Sequence, residues 1–160
     1  MKHVKKSVLL WYSAQEMFDL VADVPRYPEF LPWCEAAEVL ARHEDGVTAR
    51  VHLGFHGVKH AFSTRNVEVP GRSVVLKLVD GPFSMLEGEW RFTPVGEGAA
   101  VAGGGGVQAS QAKACRIDFD LRYAFASRAL QLVVSPVFDR IAATFVDAFV
   151  KRAEQVHGPR

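Results

Sequence analysis

Apolar and polar residues alternate with a period of two along much of this chain. Ala49, Val51, Leu53 and Phe55 share one phase, opposed by Arg50, His52 and His56, which is the pattern of an antiparallel strand with one buried face. The alternation returns at Leu86, Gly88, Trp90 and Phe92 against Glu87, Glu89 and Arg91, and again at Ile117, Phe119, Leu121 and Tyr123 against Asp118, Asp120 and Arg122. Turn signals at Asp45-Gly46, Gly57, Pro70-Gly71, Asp80-Gly81-Pro82 and Gly96 divide the region into a meander, because these residues suit the φ angles of tight turns. Strands are expected over 35–43, 47–56, 60–69, 73–80, 84–95 and 115–126.

Both ends of the chain add to this meander. A β-branched and aromatic stretch at 4–12 reads as another strand and leads to Ser13 and Glu16, spaced as a helix capping box. Met17, Leu20 and Val21 share a face of the helix that follows, and Pro25 ends it. The segment PRYPEFLPWC at 25–34 predicts a compact, partly helical turn that carries its aromatics inward. Near the C-terminus, Ser135 is placed to cap a helix with Pro136 at its first position. Val137, Phe138, Ile141, Phe145, Ala148, Phe149 and Val156 form its apolar face, and Arg140, Thr144, Asp147, Lys151 and Glu154 the opposite one. A helix from Pro136 to His157 is roughly 33 Å long at ~1.5 Å per residue, enough to cross a sheet. Ser127 to Val134 reads either as a shorter helical turn joined to it or as the first part of one kinked helix.

Composition narrows the class. Apolar residues make up 49% of the 160-residue chain and charged residues 23%, ordinary values for a globular domain that can bury a core without staples. A net charge of +1 with interspersed signs gives no reason to expect DNA as a partner. Cys34 and Cys115 read as free thiols of a reducing compartment, and MKHVKK leads into no secretory stretch, so a cytoplasmic location is expected. The greasiest region, Ala129 to Val150, is interrupted by Asp139, Arg140 and Asp147, and no membrane span is expected from it. The glycine-rich stretch from 96 to 114 has almost no side chain large enough to pack and predicts a mobile loop.

Candidate chemistry is sparse. His52, His56 and His60 are spaced by four, but on a strand His52 and His56 stand about 13 Å apart, too wide for one ion; no metal is expected. There is no nucleophile elbow, and Cys34, after Trp33 at the end of an apolar segment, reads as an inert buried thiol. What stands out is an aromatic surplus on the apolar phase: Phe55, Phe62, Phe83, Trp90, Phe92, Phe119, Tyr123 and Phe125 on the strands, with Phe138, Phe145 and Phe149 on the helix. These residues form either a solid core or the walls of an apolar pocket.

The order strand, two short helices, six-stranded meander and long terminal helix resembles the START-like, Bet v 1-like helix-grip fold: α+β, with a curved antiparallel sheet of about seven strands around the C-terminal helix. DVPRYPEFLPWC at 23–34, LVDGPFSMLEGEWRFTP at 78–94 and FASRALQLVVSPVFDRIAATFVDAFVKRAEQVHG at 125–158 closely resemble the coenzyme Q-binding START-like family, whose bacterial members include proteins named RatA. The likeness implies one START-like domain over 1–160, with the stretch at about 96–114 as an insertion. It also implies two functions. One is non-catalytic binding of ubiquinone or a related isoprenoid lipid in support of respiration, with contact at the inner-membrane surface and no required cofactor. The other is a toxin that binds the large ribosomal subunit and blocks subunit joining, and a polyketide cyclase-like enzyme is a third reading. On the first reading Trp33 and Phe83 are expected at the pocket mouth, with Gly81 and Pro82 as its rim, and Phe55, Phe62, Leu86, Trp90, Phe119, Phe138, Ile141 and Phe145 as its wall. Phe83 reads equally as a turn residue that fills the core. A ribosomal partner would need a basic patch, for which Lys2, His3, Lys5, Lys6, Lys151, Arg152 and Arg160 are the candidates.

Overall fold

The computed structural model describes residues 1–55, 57–96 and 112–160. Its chain forms β1 (Lys2–Leu10), α1 (Ala14–Ala22), a 3-10 turn (Val24–Glu29), β2 (Cys34–His43), β3 (Gly46–Phe55), β4 (Val58–Val69), β5 (Ser73–Asp80), β6 (Phe83–Val95), β7 (Ala114–Phe125) and α2 (Arg128–His157). Seven antiparallel strands make one sheet in the order β1-β7-β6-β5-β4-β3-β2. Register shifts in the β2–β3, β4–β5 and β6–β7 pairs are the irregularities that bend strands, and the sheet curves around α2. The fold is the expected helix grip. The strands fall within two residues of expectation, and most of the glycine-rich stretch, 97–111, lies outside the described residues.

Local chemistry explains the elements. Ser13 and Glu16 close the capping box of α1, the Glu16 amide donating to Ser13 Oγ at 3.0 Å and the Ser13 amide to Glu16 Oε1 at 2.9 Å, which satisfies two orphan donors at once. In α2 the expected cap is corrected. Ser127 is the N-cap, accepting from the Leu130 amide, and the helix runs 30 residues straight through Pro136. A proline inside a helix costs one backbone bond. Pro136, Leu132 and Val133 are exposed, so the freed carbonyl lies where water reaches it, while Ser135 turns inward and donates to Asp139 at 2.9 Å.

The inner face of α2 comprises Val134, Val137, Phe138, Ile141, Ala142, Val146, Phe149 and Ala153, all buried, whereas Val156 is exposed. By length and apolar content alone this helix could cross a bilayer; here that apolar face roofs the sheet. Three ties seat it. Tyr123 of β7 and Lys2 of β1 both donate to Asp139. Arg152 pairs with Glu29 at 2.7 Å and lies over the Phe30 ring. Arg160 forks onto both oxygens of Glu16, and Tyr12 donates to the Gly158 carbonyl. The hydrogen bonds from Arg160 are the main cause that lowers the Glu16 carboxyl to about 2, with the Ser13 amide adding to them against a smaller opposing effect of burial.

Candidate functional site

An apolar cavity of about 70 Å³ lies between the concave face of the sheet and α2. The period-two rows place its walls. Ala49 and Val51 come from β3, Phe62, Thr64 and Asn66 from β4, Leu76 from β5, Leu86 and Trp90 from β6, and Phe119 and Leu121 from β7. Phe138, Ile141, Ala142 and Phe145 come down from α2, and Val24, Tyr27 and Trp33 close one side from the 3-10 turn and the segment after it. The rings meet at angles that suit aromatic packing: Trp90 lies 4.6 Å from Phe119 and 5.2 Å from Phe149, and Phe145 lies 5.6 Å from Trp90. The lining residues of each strand recur at every second position, Ala49 and Val51, Phe62, Thr64 and Asn66, Phe119 and Leu121, so a one-residue register slip would carry them off the cavity face.

Trp33, Phe62, Leu86, Trp90, Phe119, Phe138, Ile141 and Phe145 are brought together in this wall. The other expected site residues stand apart from it. Phe83 is buried and packs behind the lining, 4.9 Å from Phe138, 5.6 Å from Phe62 and stacked on Phe125 at 5.3 Å; it fills the core instead of standing at a mouth. Pro82 is buried beside it. Gly81 adopts φ +143°, where a Cβ would lie 2.5 Å from Phe62 Cβ, so glycine there lets the turn press on the wall from behind. Phe55 sits half-buried at the end of β3, packed on the core outside the cavity lining.

A second hollow lies outside, a solvent-open groove between the 3-10 turn and α2, lined by Pro28, Phe30, Leu31, Pro32, Thr144, Ala148, Lys151 and Arg152 among others. Trp33 belongs to both linings. It is buried, and its ring lies 6.0 Å from Phe145.

The electrostatics of the cavity are neutral. No lining residue carries a charged side chain among the described residues. Burial pushes the Tyr27 phenol far above its usual range, and that hydroxyl donates to the Val21 carbonyl at 2.5 Å. The polar side chains that sequence reading passed over are Thr64 and Asn66. Both are buried, with Thr64 Oγ1 donating to Asn66 Oδ1 at 2.6 Å. They follow Phe62 at every second residue, a phase that the contiguous polar run Ser63 to Asn66 hides.

The remaining candidates are placed elsewhere. Cys34 and Cys115 are buried free thiols, raised by burial to about 11 and about 12. His52 lies 3.2 Å from Glu38, His56 lies outside the described residues, and no metal-holding cluster occurs among the described residues. The candidate basic patch is interleaved with acids. Lys2 pairs with Asp139, Lys6 with Asp147, His3 and Lys5 with Asp120, and Arg152 and Arg160 with Glu29 and Glu16.

Comparison with known proteins agrees with this architecture. Residues 10–150 match the family described as polyketide cyclase / dehydrase and lipid transport. The chain is 41% identical to the ribosome association toxin RatA of Pseudomonas aeruginosa over 98% of each. It is 30% identical to the mitochondrial coenzyme Q-binding protein COQ10 homolog B of Xenopus laevis, over 96% of this chain and 58% of that one. Among solved structures, the Zhui aromatase/cyclase of Streptomyces sp. R1128 superposes with a TM-score of 0.76 at 17% identity, covering 96% of this chain and 94% of that one. A START superfamily protein of Mycobacterium smegmatis superposes with 0.70 at 20%, covering 96% and 98%.

Proposed function

Because this chain belongs to the polyketide cyclase / dehydrase and lipid transport family, we propose that its cavity binds the ring or the adjoining tail of ubiquinone or a related isoprenoid lipid, without catalysis. One observation carries the proposal: an apolar space, free of charged lining, enclosed between the sheet and α2. Each 100 Å² of ligand surface taken from water into such a space is worth roughly 2.5 kcal/mol. The cavity of about 70 Å³ is roughly half the ~150 Å³ engineered cavity that holds benzene, so occupation requires its walls to part. Phe62 and Phe145, the half-buried rings of the lining, are the side chains with room to move. Access runs along the outer groove and past Trp33. The protein works in the cytoplasm and touches the inner-membrane surface only to exchange its cargo. Among the described residues the lining holds no charged side chain, and the Tyr27 phenol is spent on a backbone carbonyl, which argues against a general acid or base for cyclisation.

Titration of the purified protein with a short-chain ubiquinone, followed by quenching of its tryptophan fluorescence, tests this. Saturable quenching is expected, and it should be lost in Ala142→Phe, which fills the cavity from α2. Quenching that is unsaturable, or unchanged in that variant, would sink the proposal.

The extended identity to RatA favours a second reading, association with the ribosome, through the large subunit as the family resemblance implies. The paired charges along β1 and α2 argue against a strongly salt-dependent contact of the kind concentrated basic surfaces make. Co-sedimentation with large subunits at low and moderate salt decides it: no co-sedimentation at either removes this reading.

A further inference from the structure

Besides the Tyr27 phenol, which is bonded to the Val21 carbonyl, Thr64 and Asn66 bring polar side chains to the cavity lining. On β4, Thr64 is 8% and Asn66 5% exposed, and both line the cavity beside Leu76 and Ala49. Their side chains share a single hydrogen bond, Thr64 Oγ1 to Asn66 Oδ1. Thr64 occupies the Asn66 amide oxygen, and Asn66 lines the cavity, so its amide N–H groups are available to an acceptor placed there. A donor set in an apolar wall gains when a ligand oxygen meets it. The backbone holds it in place. Asn66 is locked in register between Val47 and Leu76, and its carbonyl is approached so closely by Gly46 that a Cβ there would lie 1.9 Å from it.

We propose that Thr64 and Asn66 form the head-group anchor of the cavity, selecting neutral ligands that carry a hydrogen-bond-accepting oxygen, a ring carbonyl above all, over hydrocarbons and over acids. This rests on the ligand-binding reading above. Asn66 supplies the donor and Thr64 is the positioning residue, because its hydroxyl occupies Asn66 Oδ1 and turns the N–H groups inward. A carboxylate or phosphate head is disfavoured, since no cation lines the cavity among the described residues and an unpaired charge would be desolvated there. Phe62 lies four residues from Asn66 on the same strand face, about 13 Å away at ~3.3 Å per residue. A ring held at Asn66 would therefore have its apolar substituent running toward Phe62 and Phe138.

The test is competition against Nile red, a neutral apolar dye, using decylubiquinone, decylbenzene and decanoate on the wild type, Asn66→Ala and Thr64→Val. Wild type is expected to bind decylubiquinone best and decanoate worst. Asn66→Ala should weaken decylubiquinone about tenfold, the size of one hydrogen bond, while leaving decylbenzene within about twofold. Thr64→Val, which keeps the side-chain shape should Asn66→Ala fold poorly, should move the quinone in the same direction by a smaller factor. Equal losses for quinone and hydrocarbon, no loss for either, or preference for decanoate would each overturn the anchor while leaving the cavity as a binding site. Failure of all three ligands to displace the dye from wild type would overturn both readings.

Discussion

Tyr123 on β7 donates its phenol to Asp139 of α2 at 2.5 Å, and Ser135 and Lys2 add hydrogen bonds to the other oxygen of the same carboxylate. One acidic side chain thus holds the roof of the cavity onto two strands. Burial pushes the Asp139 carboxyl upward, but the three donors outweigh it and keep it below its ordinary range. Asp139→Ala should lower stability by about 1–3 kcal/mol, because it strands the buried phenol. Tyr123→Phe, which removes donor and need together, should cost less. Urea denaturation of both variants and of the double variant checks this; strictly additive losses would show that the two groups are not coupled.

Trp33 lines both the outer groove and the cavity, and on the proposed route the ligand passes it. Trp33→Ala should therefore speed ligand dissociation more than it slows association, by about tenfold, as is usual when a contact that retains the ligand is removed. Stopped-flow release of decylubiquinone measures it. An unchanged dissociation rate would mean that the ligand passes elsewhere.

Acid should loosen the C-terminal end of α2 first. Glu16 has an ordinary value of 4.5 and is lowered to about 2 by Arg160. A depressed carboxyl contributes stability that is fully present above 4.5 and is lost as pH falls toward 2. Glu16→Gln should flatten the fall in stability over that window and leave stability at neutral pH lower than wild type. Denaturation midpoints between pH 7 and pH 2.5 test it, and identical slopes for the two proteins would contradict it.

The period-two rows and the terminal apolar stripe made the fold readable, because burial on one face is written residue by residue at Ala49, Trp90, Phe119 and Ile141. The start of α2 was harder to read. Ser135-Pro136 is a good local cap, yet Ser127 caps the Leu130 amide and the helix starts there, carrying Val134 and Ser135 onto its buried face. Phe83 could not be assigned by alternation, since a turn aromatic can face a mouth or a core, and the shift between Phe83 and Met85 in the β6–β7 register turns it inward. Thr64 and Asn66 were hidden for a different reason. Inside a polar run the inward phase carries no hydrophobic mark, and only the register with Ala49 and Val47 shows which side they take.

The central claim is that the space beneath α2 holds a quinone or related isoprenoid. It is tested most directly by extracting the protein with organic solvent after purification from a quinone-producing host and identifying the extract by mass spectrometry. Wild type should yield a quinone or another neutral isoprenoid, and Ala142→Phe, purified in parallel, should yield none. Recovery of no such lipid from wild type, or equal recovery from the filled variant, would contradict the account.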